Sequence, residues 1–206
     1  MLLILTTGLP VTGKTTTANT LKDYFTENGY TCEIFGKTDG HTYNRENIQL
    51  NIYRWVMEKT SDVAIIDGVL LNYFDRREIF DIIDQATEKD PDTEVHVVAI
   101  QHNRTTRFCR EHNTDPGHFA YNSKTVNDLS NITQQPLKRE GISIIYHVKY
   151  LAYLNLPGFI KILNKTFNLD FPVPEEDDVE TDDTETPVVS ETSVASDDTV
   201  TTEEGQ

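Results

Sequence analysis

Apolar residues fall along the chain in five short runs separated by longer amphipathic stretches. The runs are Leu2–Thr6, Thr31–Phe35, Val63–Asp67, Glu94–Ile100 and Ile142–Val148, each rich in β-branched residues. Four of them are nearly continuous rather than alternating, the pattern of strands buried on both faces of a parallel sheet. Between the runs the apolar period lengthens to that of a helix. Lys14–Asn28 sets Ala18, Leu21 and Phe25 on one side, with Gly29 placed to cap its C-terminus. Asn44–Thr60 groups Ile48, Ile52, Trp55 and Val56. Asp75–Glu88 opens on Asp75-Arg76-Arg77-Glu78, a capping-box spacing with Asp75 as the cap, and stacks Ile79, Ile82, Ile83 and Ala86 in a buried stripe. A last helix is expected over Gly158–Phe167, after Pro157. There is no internal repeat. Strands alternating with helices predict an α/β domain, a five-stranded parallel sheet with helices on both faces.

Beyond Phe171 this pattern stops. Pro172 and Pro174 break regular structure, and Glu175-Glu176-Asp177-Asp178 leads into Thr, Ser, Asp and Glu. Such a segment buries too little apolar surface to offset its ordering entropy. The expected organisation is a folded domain over residues 1–172 and a disordered acidic tail over 173–206. The tail also explains the charge. The whole chain carries −16, but residues 173–206 hold thirteen acids and no Lys or Arg, which leaves the body at −3. Two cysteines, Cys32 and Cys109, are too few for a disulfide framework and fit a reducing compartment. No run approaches the length of a membrane span, and Leu2–Leu5 leads straight into a glycine-rich loop rather than a secretory cleavage site. A cytoplasmic protein that does not enter membranes is the expectation. Nothing in the sequence sets an oligomeric state.

The glycine-rich loop carries the strongest chemical signal. Gly8-Leu9-Pro10-Val11-Thr12-Gly13-Lys14-Thr15 fits G-x-x-x-x-G-K-[ST] in full, after an apolar strand and at the opening of a helix. The glycines permit a turn whose backbone N–H groups point inward at phosphate oxygens, and the helix N-terminus adds partial positive charge. Lys14 reaches for the β- and γ-phosphates, Thr15 offers a hydroxyl to Mg²⁺, and Thr16 completes the nucleotide-binding set. Val63-Ala64-Ile65-Ile66-Asp67 resembles a Walker B strand, and its terminal Asp67 is the second candidate Mg²⁺ ligand.

Two further features suggest transfer chemistry. The second strand ends in Phe35-Gly36-Lys37-Thr38-Asp39-Gly40, where Asp39 is placed to orient or deprotonate an acceptor hydroxyl in line with a γ-phosphate. An ordinary Asp-Gly turn is the competing reading. After the fourth strand, Arg104, Arg107 and Arg110 recur every three residues on a segment that Asn103 is placed to cap, so they share a helix face. Arg107 and Arg110 are the candidates to close over a triphosphate as a lid. Cys109, His112 and His118 lack a fourth zinc ligand and match no compact zinc module. A guanine-reading Asn/Thr-Lys-x-Asp after the fourth strand is missing, since the chain there reads Gln101-His102-Asn103-Arg104, so ATP is favoured over GTP.

Taken in order, the Gly8–Thr15 loop, Asp39, Ile65-Ile66-Asp67 with Arg76-Arg77 downstream, and Arg107…Arg110-Glu111-His112-Asn113 resemble the small P-loop kinases of the polynucleotide-kinase type over roughly residues 2–150. The resemblance implies the P-loop kinase fold, activation of a 5′-hydroxyl by Asp39 and a γ-phosphate contact from Arg110. The chain departs from that family at position 42, where Thr42 replaces the usual arginine of an Asp-x-x-Arg spacing and the first arginine is Arg45. Gly8-Leu9-Pro10 with Asp39-Gly40 is also similar to adenylylsulfate kinases, and the Asp67…Arg77 region is similar to kinases and ATPases that act on tRNA. The expected activity is transfer of the ATP γ-phosphate to a hydroxyl acceptor. A polynucleotide 5′-hydroxyl leads, reached through a channel lined by Lys37, Arg45, Arg76 and Arg77. A small metabolite, or ATP hydrolysis in an adaptor working with a partner, are the alternatives.

Overall fold

A computed structural model describes residues 1–9, 11–36, 45–68, 70, 72–111, 123–148 and 153–175. Its strands are β1 (Leu2–Thr7), β2 (Cys32–Gly36), β3 (Val63–Asp67), β4 (His96–His102) and β5 (Ile144–Val148). They form one sheet in the order β2-β3-β1-β4-β5, and each pairing is parallel. The helices are α1 (Lys14–Glu27), α2 (Arg45–Glu58), α3 (Tyr73–Thr87), α4 (Thr106–Glu111), α5 (Ser123–Ile132) and α6 (Leu156–Phe167). The expected α/β architecture is what forms, with strand ends displaced by one or two residues.

Strand parity explains the two-faced burial. Leu3 and Leu5 of β1, Ala64 and Ile66 of β3, and Val97 and Ala99 of β4 pack with α2 and α3. Their neighbours Leu2, Ile4, Val63, Ile65, Val98 and Ile100 pack on the opposite face with α1 and α6. Trp55 is fully buried and donates its indole N–H to the Ser61 carbonyl at 2.9 Å, so its single polar atom is satisfied.

The helix ends follow local chemistry. Beyond α1, Tyr30 N–H bonds the Phe25 carbonyl at 2.9 Å and Gly29 N–H bonds the Thr26 carbonyl at 3.1 Å, with Gly29 at φ 85°. This is a Schellman cap. The cap of α3 differs from the expectation. Asn72, not Asp75, is the N-cap: its side chain accepts from Asp75 N–H at 3.0 Å while the Asp75 carboxylate accepts from Asn72 N–H. Asn and Asp three residues apart make the same reciprocal box one turn earlier. In α6, Asn155 caps through Gly158 N–H at 2.8 Å and Pro157 lies in the first turn, where its missing N–H costs nothing.

Candidate functional site

The helix after β1 packs on one face of the sheet, and α2 and α3, which flank β3, pack on the other. Chain connections diverge above β1, and in a parallel α/β sheet a crevice opens at such a point. The chain leaves β1 into Gly8 (φ 129°), passes Val11 (φ 56°) and Gly13 (φ 92°), and enters α1 at Lys14. A Cβ on Gly8 would lie 2.8 Å from the His102 carbonyl oxygen, so only glycine lets the loop cross the end of β4. Gly13 caps α1 without a side-chain bond, which leaves the first N–H groups of the helix to the loop interior. Thr12 Oγ1 donates to the Leu9 carbonyl at 2.8 Å and pins the loop from within. The Lys14 ammonium donates to the carbonyls of Gly8 and Leu9 at 3.0 and 2.7 Å, which holds its charge over the loop. Thr15 and Thr16 are exposed in the first turn of α1. Pro10 lies outside the described residues.

Asp67 stands beside this loop. It ends β3 in register with Thr6, one residue before Thr7 and two before Gly8, and it is buried. Thr6 Oγ1 donates to the Ile66 carbonyl at 2.9 Å, tying the two strand ends together. On the other side Gly36 is in register with Asp67, and a Cβ there would sit 1.9 Å from the Asp67 carbonyl oxygen. The hydroxyl and carboxylate expected to face a metal therefore lie on adjacent elements at one end of the sheet. Asp39, with Lys37 and His41, lies outside the described residues. Arg45 begins α2, but its side chain is likewise outside them.

The segment expected to act as a lid forms a helix pair, α4 and α5, rather than one helix. Thr105, not Asn103, caps α4: its Oγ1 accepts from Phe108 N–H at 3.1 Å, whereas Asn103 lies against His147 with 3.2 Å between Nδ2 and Nδ1. Buried Cys109 and Val126, with Phe108 and Leu129, pack on Leu9 and Val11 of the glycine-rich loop, so α4 and α5 form a small apolar core with the loop itself. Burial pushes the Cys109 thiol above its ordinary range, as expected for a packing residue. Arg107 is on the outer face of α4, its side chain 86% exposed, with Nε 2.7 Å from Glu111 Oε1. Arg110 falls within α4, but its side chain is outside the described residues, as are His112 and His118. Among the described residues no cluster of three or more His, Cys, Asp or Glu can hold a metal.

One arginine of the expected channel takes a different role. Arg76, expected to line an acceptor channel, is fully buried, and all five of its N–H groups are used. Nε and Nη2 reach the two Glu140 oxygens at 2.7 and 3.0 Å; Nη1 reaches the Leu70 and Gln134 carbonyls at 3.2 and 2.9 Å; Nη2 also reaches the Gln135 carbonyl at 3.3 Å. It binds the segment after Asp67 to the segment after α5. Arg77 is half exposed and paired with Asp81 at 2.7 Å. His102, which belongs to no motif in the sequence, is buried beneath the loop. Its one sequence signal is parity, since it follows Val98 and Ile100 onto the α1 face. Burial, helped by the charges of Lys14 and then Arg104, drives its pKa down to about 4, with the Thr12 backbone opposing.

The fold and the glycine-rich loop together define a P-loop NTPase with a kinase-like architecture. Residues 1–140 match the family described as "Chromatin associated protein KTI12", and the chain belongs to that family. Kti12 of Chaetomium thermophilum, solved in complex with ADP-AlF3, is similar at TM-score 0.57 and 18% identity, covering 81% of this chain and 97% of that one. A fungal RNA kinase is similar at TM-score 0.60 and 16% identity over 81% and 86%. A sugar kinase from Janibacter sp. HTCC2649 is similar at 0.52 and 14% over 84% and 98%. At these identities the likeness concerns the fold. No curated protein matches the chain.

Among the described residues, no helix is long and apolar enough to cross a membrane.

Proposed function

We propose that this chain is an ATP-binding, ATP-cleaving member of the KTI12 family that couples nucleotide turnover to engagement of a partner. One observation carries this reading. The described residues bring together groups suited to a triphosphate, namely the uncapped α1 N-terminus, Lys14 at the loop and buried Asp67 beside it, while Arg76 and Arg77 are engaged within the protein. Gly8, Leu9, Val11, Thr12 and Gly13, with Pro10, would wrap the phosphates, and Lys14 would exchange its carbonyl partners for phosphate oxygens. The Thr15 hydroxyl and Asp67 carboxylate are hard oxygen donors of the kind Mg²⁺ takes, and Mg²⁺ held there would neutralise charge between the β- and γ-phosphates. Arg107 or Arg110, carried on a lid that packs directly on Leu9, would stabilise the transferring phosphoryl group. A Kti12 captured with ADP-AlF3, a planar mimic of that group, supports the same assignment.

A second reading is transfer to a hydroxyl, with Asp39 as the base and a polynucleotide 5′-hydroxyl or a small metabolite as acceptor. Its support is the likeness to an RNA kinase and a sugar kinase. The domain is proposed to span residues 1–172, with 173–206 as an acidic tail. The family's chromatin association extends the expected compartment from cytoplasm to nucleus. γ-labelled ATP separates the two readings. Label in free phosphate, with none on 5′-hydroxyl oligonucleotide or adenylylsulfate, is the expected result; label on an acceptor, lost in Asp39→Ala, establishes the kinase. Lys14→Ala is expected to lower either signal by ~100-fold or more, since it removes the positive charge set over the phosphates.

A further inference from the structure

His102 is the least explained polar side chain in the described structure. It is 4% exposed, and neither Nδ1 nor Nε2 has a hydrogen-bond partner. A buried donor or acceptor left unpaired is destabilising, so such a group calls for a reason. Its position supplies one. As the last residue of β4, it follows Val98 and Ile100 onto the face that holds α1, and Gly8 crosses directly over its backbone. Around the ring are the P-loop at Thr12, Lys14 of α1 and Arg104 in the segment after β4. The cations and the burial both keep the imidazole neutral, with one N–H to donate and one nitrogen to accept. The Thr12 carbonyl is close enough to influence the ring, though not in bonding geometry.

We propose that His102 is a positioning residue for the phosphate-binding loop: in the nucleotide-loaded protein its ring N–H holds the Thr12 carbonyl, and the Thr12–Gly13 peptide thereby presents the Gly13 N–H to phosphate. The link is geometric. A trans peptide points its C=O and N–H in opposite directions, so fixing the Thr12 carbonyl toward the core aims the Gly13 amide outward. Gly13, at φ 92°, is free to adopt the orientation this requires. Lys14 now bonds the Gly8 and Leu9 carbonyls, and its transfer to phosphate would release the loop to settle onto the imidazole. The unpaired ring is then the state that binding relieves, which makes His102 a coupling between phosphate capture and the lid that packs on the same loop.

The inference rests on nucleotide binding by this loop, and the experiment separates the two. Mg-ADP affinity is measured by calorimetry, and thermal melting without nucleotide by fluorescence, for the full chain, His102→Leu and His102→Gln. His102→Leu is expected to melt at or above the wild-type temperature, because an unpaired buried polar group is gone, yet to bind Mg-ADP about tenfold more weakly. His102→Gln, which keeps a donor, is expected to recover most of that affinity. A residue that served only packing would show the opposite, a lower melting temperature with unchanged affinity, and that result overturns the proposal. Equal affinities for the Leu and Gln proteins also overturn it. If His102→Leu does not fold, ¹⁵N histidine NMR of the wild type decides: Mg-ADP should move one His102 ring nitrogen to the shift of a hydrogen-bonded N–H, and an unmoved ring refutes the assignment. Absence of Mg-ADP binding by the wild-type chain removes the nucleotide reading along with this one.

Discussion

A fully buried arginine is tolerated only when its charge and all its protons are matched, and Arg76 meets both conditions. Its five N–H groups find five acceptors, two of them on the carboxylate of Glu140. Glu140 also accepts from Leu137 N–H at 3.0 Å, so both sides of the pair are held. Replacing one partner strands the other in the core. Arg76→Ala is therefore expected to lower stability by about 3–5 kcal/mol, seen as a drop in the urea midpoint. Arg76→Lys is expected to recover little, since an ammonium has three donors and cannot fork onto a carboxylate. The double change Arg76→Met with Glu140→Leu should restore much of the loss, because it removes both charges together. An Arg76→Ala protein as stable as wild type would return this residue to the surface role that its sequence context suggests.

Parallel strands have no hairpin to align them, so contacts at strand starts matter. Asp62 makes one. Its carboxylate accepts from Thr31 N–H at 2.8 Å and Thr31 Oγ1 at 2.7 Å, joining the chain just before β3 to the chain just before β2. These bonds hold the Asp62 pKa below its ordinary value of 3.8. A depressed carboxylate pKa means that the unfolded chain binds the proton more readily. The stabilisation is thus complete above that ordinary value and disappears as pH falls through the folded one. Asp62→Asn is expected to be less stable than wild type at pH 7 and to converge with it under strong acid, read from urea midpoints across pH. A constant gap down to strong acid would show that the carboxylate charge is irrelevant. At this scale the sequence is informative wherever apolar residues set the period. All five strands and the helices α1, α2, α3 and α6 are visible in it because their stripes are dense. α5 is not, since among its described side chains Val126 alone is in the buried core and Leu129 is only partly covered. Sheet order is equally hidden, because β1 pairs with β3 and β4 while its sequence neighbour β2 lies at the edge. The site divides the same way. The placement of Lys14, Thr15 and Asp67 at one end of the sheet is legible because each belongs to a loop, a helix start or a strand end marked in the local sequence. The burial of Arg76 and His102 is not, because it depends on which distant segments fold over them.

The chain as a whole closes its second core with the segment just before its acidic run. Phe171 is buried against Phe25 and Tyr30, with ring centroids 5.2 and 4.8 Å away, both edge-on. Asn164 clamps its backbone, donating to the Phe171 carbonyl at 2.7 Å and accepting from its N–H at 3.0 Å. The Tyr24 hydroxyl donates to the Pro172 carbonyl, and burial pushes its pKa up to about 12, so it stays a donor. A cavity of about 460 Å³ lies between this strap and α1, lined by Thr20, Tyr24 and Pro172 among others. The strap thus belongs to the folded domain by its contacts, while most of the chain's net charge is carried by residues 176–206. Truncation after Glu175 removes twelve acids and changes the net charge from −16 to −4. Because net charge governs solubility and association more than fold, this truncation is expected to leave the melting temperature within ~2 °C while lowering solubility near the shifted isoelectric point. Phe171→Ala in the full chain should do the reverse, costing about 3–5 kcal/mol with solubility of the folded protein unaltered. Calorimetric melting of the two proteins beside wild type checks both arms. A truncated chain that melts as low as the Phe171→Ala protein would show that the acidic segment contributes to the fold after all.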